Sequence, residues 1–141
     1  MSIQAILLPL FVEVILTFVL WACMAGLRTR DFGSGAVVPR DIALREPNWP
    51  RRTTQVANCF ANQFELPVLF YVLTILAIVT KQADLLFVVL AWIFVLARVG
   101  HAAVHTTSNV VRLRGGIYGI GALVLAIMWI IFIIRILLAS P

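Results

Sequence analysis

A run of polar and charged side chains recurs at helical spacing along a largely apolar stretch in the middle of the chain. Five of these residues stand four, three, four and three positions apart: Arg51, Gln55, Asn58, Asn62 and Glu65. Because residues three and four apart share one face of an α-helix, the spacing predicts a polar stripe about four turns long. Guanidinium groups bind carboxylates, and carboxylates bind ammonium groups. The stripe is therefore a candidate surface for binding a small charged molecule.

A second polar stripe is predicted on the next helix along the chain. Arg98, His101, His105 and Arg112 stand three, four and seven residues apart, so they share one face if the helix continues past the membrane surface. Glu65 and Arg98 each lie about ten residues from the same membrane surface, which places them at nearly equal depth. We predict an ion pair between them, either within a polar cleft lined by both stripes or only as a lock between helices.

The two histidines allow a second interpretation of this cleft. His101 and His105 are four residues apart and could bind a metal ion with Glu65 or Glu13 as a third ligand. This spacing alone is common, and neither a cysteine nor a second acidic cluster accompanies it. We therefore favour contacts to a bound substrate, or histidines with satisfied hydrogen bonds, over a metal site. Glu13 is predicted to face the interior of the helix bundle.

The composition shows that these stripes belong to a membrane protein. Of the 141 residues, 62% are hydrophobic and 12% are charged, whereas soluble chains are roughly 45–50% apolar and about 25% charged. A mean hydropathy of +1.05 excludes a small soluble domain, a disordered chain and a coiled coil. Cys23 and Cys59 are the only cysteines, so a disulfide-stabilised secreted module is also excluded, and we expect free thiols.

Four stretches are apolar over the roughly 20 residues that a spanning helix needs. They cover residues 3–25, 56–79, 85–104 and 117–139. The first stretch lacks a basic leading segment and carries Glu13 near its middle, so we interpret it as a retained helix and not as a cleaved signal peptide. The fold class predicted is an all-α integral membrane protein, a bundle of four transmembrane helices forming one domain over residues 1–141.

The basic residues predict how the bundle is oriented. Eight arginines fall in the first and third connections, against Lys81 and Arg135 on the other side: Arg28, Arg30, Arg40, Arg45, Arg51, Arg52, Arg112 and Arg114. Since positive residues accumulate in cytoplasmic loops, the long first loop is predicted to be cytoplasmic and both termini non-cytoplasmic. In a bacterium the membrane would be the inner membrane. No soluble basic domain is present, so we expect no nucleic-acid partner.

These features together resemble the MAPEG superfamily, the membrane-associated proteins in eicosanoid and glutathione metabolism. The resemblance covers nearly the whole chain: four spans, a long basic first loop, a short second turn and a polar third connection. Its most specific motifs are Asn62-x-x-Glu65 followed by Pro67, then Ala97-Arg98 and, fourteen residues on, Arg112-Leu113.

The resemblance implies a homotrimer that binds glutathione, as co-substrate, between neighbouring subunits near the cytoplasmic face. Asn62, Glu65 and Arg98 match the family's glutathione-binding residues. Arg112 matches the arginine that activates the thiol in leukotriene C4 synthase, which makes it the candidate catalytic residue. Arg28 or Arg30 resembles a further arginine that contacts glutathione.

The chain also departs from the family pattern at several candidate positions. Asn58 stands where the family often has arginine, and Phe60 where the eicosanoid branch often has a polar residue. His101 and His105 replace tyrosines that often contact glutathione. The family matches and the two polar stripes together give the candidate glutathione-binding residues: Arg28, Arg51, Gln55, Asn58, Asn62, Glu65, Arg98, His101 and His105.

Three hypotheses about function follow, in order of preference. The first is a glutathione-dependent transferase or peroxidase whose small lipophilic substrate arrives laterally from the membrane lipid. Lowering a thiol pKa from about 8.5 to about 6.5 takes roughly 2.7 kcal/mol, which one well-placed arginine can supply. The second is a non-catalytic member that binds a lipid or a partner protein in the same cleft. The third is a metal-binding membrane protein using His101 and His105.

The orientation is directly testable. A reporter that is active only in the cytoplasm, fused after Pro141, should stay inactive, because the arginine count places the C-terminus on the other side. The same reporter inserted in the long first loop should be active. The opposite pattern would reverse the orientation and remove the proposed cleft from cytoplasmic glutathione.

Overall fold

The computed structural model describes residues 1–138, and these residues form helices joined by one long loop, residues 34–50, and by short connections. The five α-helices are α1 (Ile3–Gly33), α2 (Arg51–Ala61), α3 (Leu66–Val79), α4 (Leu85–Thr106) and α5 (Val111–Leu138). Because α2 and α3 follow one another with only a 3-10 turn between them, they form one span, and the described chain has four helices long and apolar enough to cross a membrane. The predicted all-helical, four-span fold is confirmed; residue 139, the predicted end of the fourth span, lies outside the described residues.

Helix α1 is longer than the apolar stretch that predicted it. It continues to Gly33, so Arg28 and Arg30 lie on the helix and the first connection begins at Ser34. A fall in hydropathy marks where a helix leaves the lipid. The helix itself ends where its backbone hydrogen bonds end, which is later in the chain here. Here the Ser34 N–H bonds the Arg30 carbonyl at 2.9 Å, and Gly35 follows with φ of 72°, a conformation that favours glycine.

A kink interrupts the second span between α2 and α3. Residues Asn62–Phe64 form the 3-10 turn, and Glu65 follows with φ −99° and ψ −108°, far from helical values. Pro67 stands at the start of α3. Proline has no N–H to donate and its ring crowds the preceding turn, so the regular helix cannot run through this point. The kink gives the second span two directions, one on each side of Glu65.

Helix α4 lies at the centre of the bundle and packs against α1, α2 and α5. The apolar core is built mainly by α3, α4 and α5, and its fully buried members include Phe70, Leu73, Ala91, Phe94 and Val95. Most apolar side chains on the outer faces of α1, α3 and α5 are exposed, as expected where lipid is the solvent.

Three polar contacts fix helix ends. At the end that carries most of the arginines, which we call the arginine-rich end, the Thr53 hydroxyl of α2 donates to the buried Asp31 carboxylate of α1. At the opposite end, Asp84 accepts a hydrogen bond from the Phe87 N–H at 2.9 Å and so caps α4. Its other carboxylate oxygen lies 2.7 Å from Nη2 of Arg135, which ties the short α3–α4 connection to α5. The Arg135 hydrogen bond holds the pKa of Asp84 below its ordinary value.

The Asp84–Arg135 pair should contribute a pH-dependent part of the stability. Because the folded-state pKa of Asp84 is lowered, its contribution is present above the carboxyl group's ordinary pKa and is lost as the pH falls through the folded-state pKa. Asp84→Asn keeps a residue that caps helices well and removes only the charge. It should lower stability at neutral pH by about 0.2–1 kcal/mol.

Thermal unfolding in detergent at neutral and strongly acidic pH checks this prediction. The variant should lose less stability on acidification than the wild type. Asp41→Asn, which removes a similarly exposed carboxylate at the arginine-rich end, is the matched control. Equal acid sensitivity of the wild type and Asp84→Asn would contradict the assignment.

Candidate functional site

A buried ion pair lies at the centre of the polar residues. Arg98 of α4 is 1% exposed, and its Nε lies 3.6 Å from Oε1 of Glu13 on α1, which is 0% exposed. The predicted ion pair between Glu65 and Arg98 is therefore wrong: the carboxylate that faces Arg98 comes from α1. The prediction assumed a straight second span, whereas the kink at Glu65 turns this side chain outward.

Glu65 instead contacts the last helix. It is exposed in the single chain, and its Oε2 accepts a hydrogen bond of 3.1 Å from the hydroxyl of Tyr118 on α5. The guanidinium carbon of Arg98 lies 5.8 Å from the centre of the Tyr118 ring, within range of a cation–π contact. The phenol thus lies between the exposed carboxylate and the buried guanidinium.

Arg98 also holds the backbone of the kink. Its Nη2 donates a 3.0 Å hydrogen bond to the carbonyl oxygen of Asn62, the first residue of the 3-10 turn. Within the turn this carbonyl accepts only a long hydrogen bond, 3.5 Å, from the Glu65 N–H. The guanidinium of Arg98 is a closer and charged donor to the same oxygen. One side chain therefore contacts α1, the kink and α5 at once.

The hydrogen bonds around His101 define its protonation state. Nδ1 lies 3.1 Å from the carbonyl oxygen of Arg114, which can only accept, so Nδ1 carries the proton. Nε2 lies 3.5 Å from the amide nitrogen of Asn62, which can only donate. His101 is accordingly assigned as the neutral Nδ1–H tautomer with both nitrogens engaged.

This arrangement gives no support to a metal site at the two histidines. The rings of His101 and His105 are perpendicular, with centroids 5.4 Å apart. The nitrogens of His101 already have partners, and within residues 1–138 no group of three or more His, Cys, Asp or Glu side chains is placed to hold a metal ion.

Five residues thus form what we call the polar cluster: Asn62, Glu65, Arg98, His101 and Tyr118. Gln55 lies beside it, where its amide donates to the carbonyl oxygens of His105 at 2.6 Å and Thr107 at 3.2 Å. These carbonyls belong to the last turn of α4 and lack partners within the helix, so Gln55 caps α4 in the single chain.

The rest of the polar stripe on α2 lies elsewhere. Asn58, with Arg28 of α1 and Trp49 of the loop, lines a separate open cleft of about 820 Å³. The guanidinium of Arg28 lies 4.9 Å from the centre of the Trp49 ring. Arg51 is exposed at the start of α2. The prediction of one cleft lined by the whole stripe is therefore wrong for the single chain, because Asn58 lines this cleft whereas Gln55 and Asn62 contact α4.

Arg112 is not on the helix that carries Arg98. Helix α4 ends at Thr106, the chain turns through Asn109 with φ of 51°, and α5 begins at Val111. The predicted shared face of Arg98 and Arg112 is therefore wrong, because it assumed that one helix continued across this turn. Arg112 is exposed in the first turn of α5, and its catalytic role stays a prediction.

Two residues of this region were not singled out from the sequence. Arg114 is half-buried; its Nη1 donates to the side-chain oxygen of Asn109 at 2.6 Å, and its carbonyl faces His101. Tyr118 was not considered, although a tyrosine inside an apolar span signals a hydroxyl that needs a partner.

Comparison with known proteins places this architecture in a family. Searches of curated proteins and of solved structures give no match to the chain. The model of the MAPEG family matches residues 6–134, nearly the whole chain and all four spans. The chain therefore belongs to the MAPEG family.

Proposed function

We propose that this protein uses glutathione to conjugate or reduce lipophilic electrophiles within the membrane. Membership of the MAPEG family supports a membrane protein of glutathione-related or eicosanoid chemistry. The observation that carries the proposal is the polar cluster, in which a carboxylate, an amide, a neutral imidazole and a phenol surround the kink of the second span.

The cluster supplies groups that complement glutathione, which carries two carboxylates and one ammonium group. Glu65 is exposed, and Tyr118 donates to only one of its oxygens, so the other oxygen would receive the ammonium group. The exposed arginines at the arginine-rich end, Arg51 and Arg112, would bind the carboxylates or the thiolate. Asn62 and His101 would flank the peptide between these ends.

The chemistry needs a thiolate beside an apolar electrophile. Arg112 lies in the first turn of α5, where the helix dipole adds positive potential to that of the guanidinium, and both lower the pKa of a nearby thiol. The thiolate would form a carbon–sulfur bond as the leaving group departs with its electron pair. With a hydroperoxide it would instead take one oxygen to give a sulfenic acid and an alcohol, and a second glutathione would then form the disulfide and release water.

Two separate sets of candidate residues support a homotrimer with the ligand between subunits. Arg28 and Asn58 line the open cleft, while Asn62 contacts α4 and Glu65 contacts α5. A closed ring of identical subunits makes heterologous contacts, in which one face of each copy meets a different face of the next. Such a ring would join the cleft of one copy to the polar cluster of its neighbour.

Substitution of Glu65 tests the binding half of the proposal. In detergent, glutathione should raise the unfolding temperature of the wild type, and the rise should grow with ligand concentration by mass action. Glu65→Gln should largely remove this rise while changing the ligand-free unfolding temperature little, because Glu65 is exposed and an amide can still accept from Tyr118.

Asp41→Asn, which neutralises another exposed carboxylate of the arginine-rich end, is the matched control and should keep the wild-type rise. Equal rises in the wild type and Glu65→Gln would remove Glu65 from the site. No rise in the wild type itself would contradict glutathione binding and favour the non-catalytic alternative, in which a lipid or partner protein occupies the same region.

Substitution of Arg112 tests the catalytic half. If its guanidinium supplies the roughly 2.7 kcal/mol needed for a two-unit lowering of the thiol pKa, Arg112→Ala should reduce turnover of an aryl halide about 25-fold at pH 7, because the thiolate fraction would fall from about three-quarters to about 3%. The ultraviolet absorbance of bound thiolate should fall in parallel, while the KM for glutathione changes little.

Arg114→Ala is the comparison, since it removes a neighbouring guanidinium but keeps the carbonyl that faces His101. Its effect should be clearly smaller. A larger loss of turnover and thiolate signal in Arg114→Ala than in Arg112→Ala would transfer the activating role to Arg114.

A further inference from the structure

We infer that Glu13 of α1 is a positioning residue for the candidate site, acting through Arg98 on Asn62. The inference rests on the proposed function for the identity of the ligand. The route from Glu13 to the kink rests on contacts within the chain: Glu13 to Arg98 at 3.6 Å, then Arg98 to the Asn62 carbonyl at 3.0 Å.

Burial separates these two residues from any ligand. Glu13 is 0% and Arg98 1% exposed, so neither side chain offers surface to a molecule bound at Glu65. The resemblance to the family implies that Arg98 binds glutathione directly. The contacts seen here give its guanidinium a different pair of partners, a carboxylate of α1 and a backbone carbonyl of the kink.

Glu13 stabilises the charged guanidinium of Arg98 inside the membrane-spanning bundle. An unpaired guanidinium in the interior of a membrane bundle has a high free energy, and removing one partner of a buried pair leaves such a charge uncompensated. With Glu13 beside it, Arg98 stays charged and inside the bundle. Its Nη2 can then donate the charge-assisted hydrogen bond that holds the Asn62 carbonyl.

The hydrogen bond from Arg98 to the kink also affects the side chains of the candidate site, because two of them belong to the kink. The side chain of Asn62 contacts Nε2 of His101, and three residues later Glu65 accepts from Tyr118. Without the hydrogen bond from Arg98, the Asn62 carbonyl would accept only the long hydrogen bond from the Glu65 N–H, and the turn would be less well fixed. Asn62 and Glu65 would then lose their alignment with His101 and Tyr118, and glutathione would bind more weakly. Arg112, on α5, would still act on the thiol.

Two variants separate this positioning role from stability. Arg98→Lys keeps the positive charge beside Glu13, but a single ammonium group does not reproduce the planar fork that reaches both partners. Glu13→Leu with Arg98→Met replaces the whole pair by apolar side chains of similar size, a change that often preserves or raises stability. Both variants should unfold near the wild-type temperature.

Two readouts are then compared. The KM for glutathione should rise about tenfold or more in both variants, as expected for the loss of a charge-assisted hydrogen bond, while kcat changes little. The second readout needs no glutathione: the ¹⁵N NMR signal of His101 Nε2 should shift as Asn62 moves. The chain has only two histidines, so a His105→Gln background leaves one imidazole to follow. Asp84→Asn, which breaks an ion pair at the opposite end of the bundle, is the control and should change neither.

The outcomes are distinct. A shifted His101 signal together with a raised KM supports the inference. An unchanged His101 signal overturns it whatever the KM does, and so does a shifted signal with an unchanged KM. If the wild type binds no glutathione while His101 shifts in both variants, the coupling from Glu13 to the kink stands and the proposed function fails.

Discussion

The structure depends on one constraint: the guanidinium of Arg98 is buried in the membrane-spanning part of the bundle, so its charge must be neutralised there. Three separate parts of the chain surround this guanidinium. Helix α1 brings Glu13, the kink of the second span brings the Asn62 carbonyl, and α5 brings the ring of Tyr118. Because lipid offers these groups no alternative partners, their positions relative to Arg98 are tightly coupled. The helices that build the site are therefore those that Arg98 holds together.

The kink in the second span is as important for the candidate site as the charge of Arg98. In a straight helix the carbonyl of Asn62 would bond within the helix, and Glu65 would continue the stripe of α2. The 3-10 turn before Pro67 instead presents that carbonyl to Arg98 and turns Glu65 toward Tyr118. One local break thus produces both the buried contact and the exposed carboxylate.

The sequence was sufficient to predict the four-span architecture and most residues of the polar cluster, but not which of the charged residues pair with one another. Four apolar stretches predict four spans because lipid is the solvent. Equal depth predicted Glu65 as the partner of Arg98, but Glu13 also lies well inside its span, and the kink at Glu65 leaves Glu13 as the partner. The start of α5 was missed for a related reason. Helix ends depend on backbone turns such as the one at Asn109, whereas hydropathy marks only the boundary of the lipid.

Helix α5 shows how closely fold and site are connected in this bundle. Its fully buried residues are Gly121, Leu125 and Met128, and between helices in lipid there is little hydrophobic driving force, so polar contacts carry much of the positional information. Arg135 fixes one end to Asp84, and Tyr118 fixes the other end to Glu65. A ligand ammonium group bound at Glu65 would share that carboxylate with Tyr118. In the proposed binding mode, the ligand would therefore act on the same contact that links α5 to Glu65, and with it on the position of Arg112.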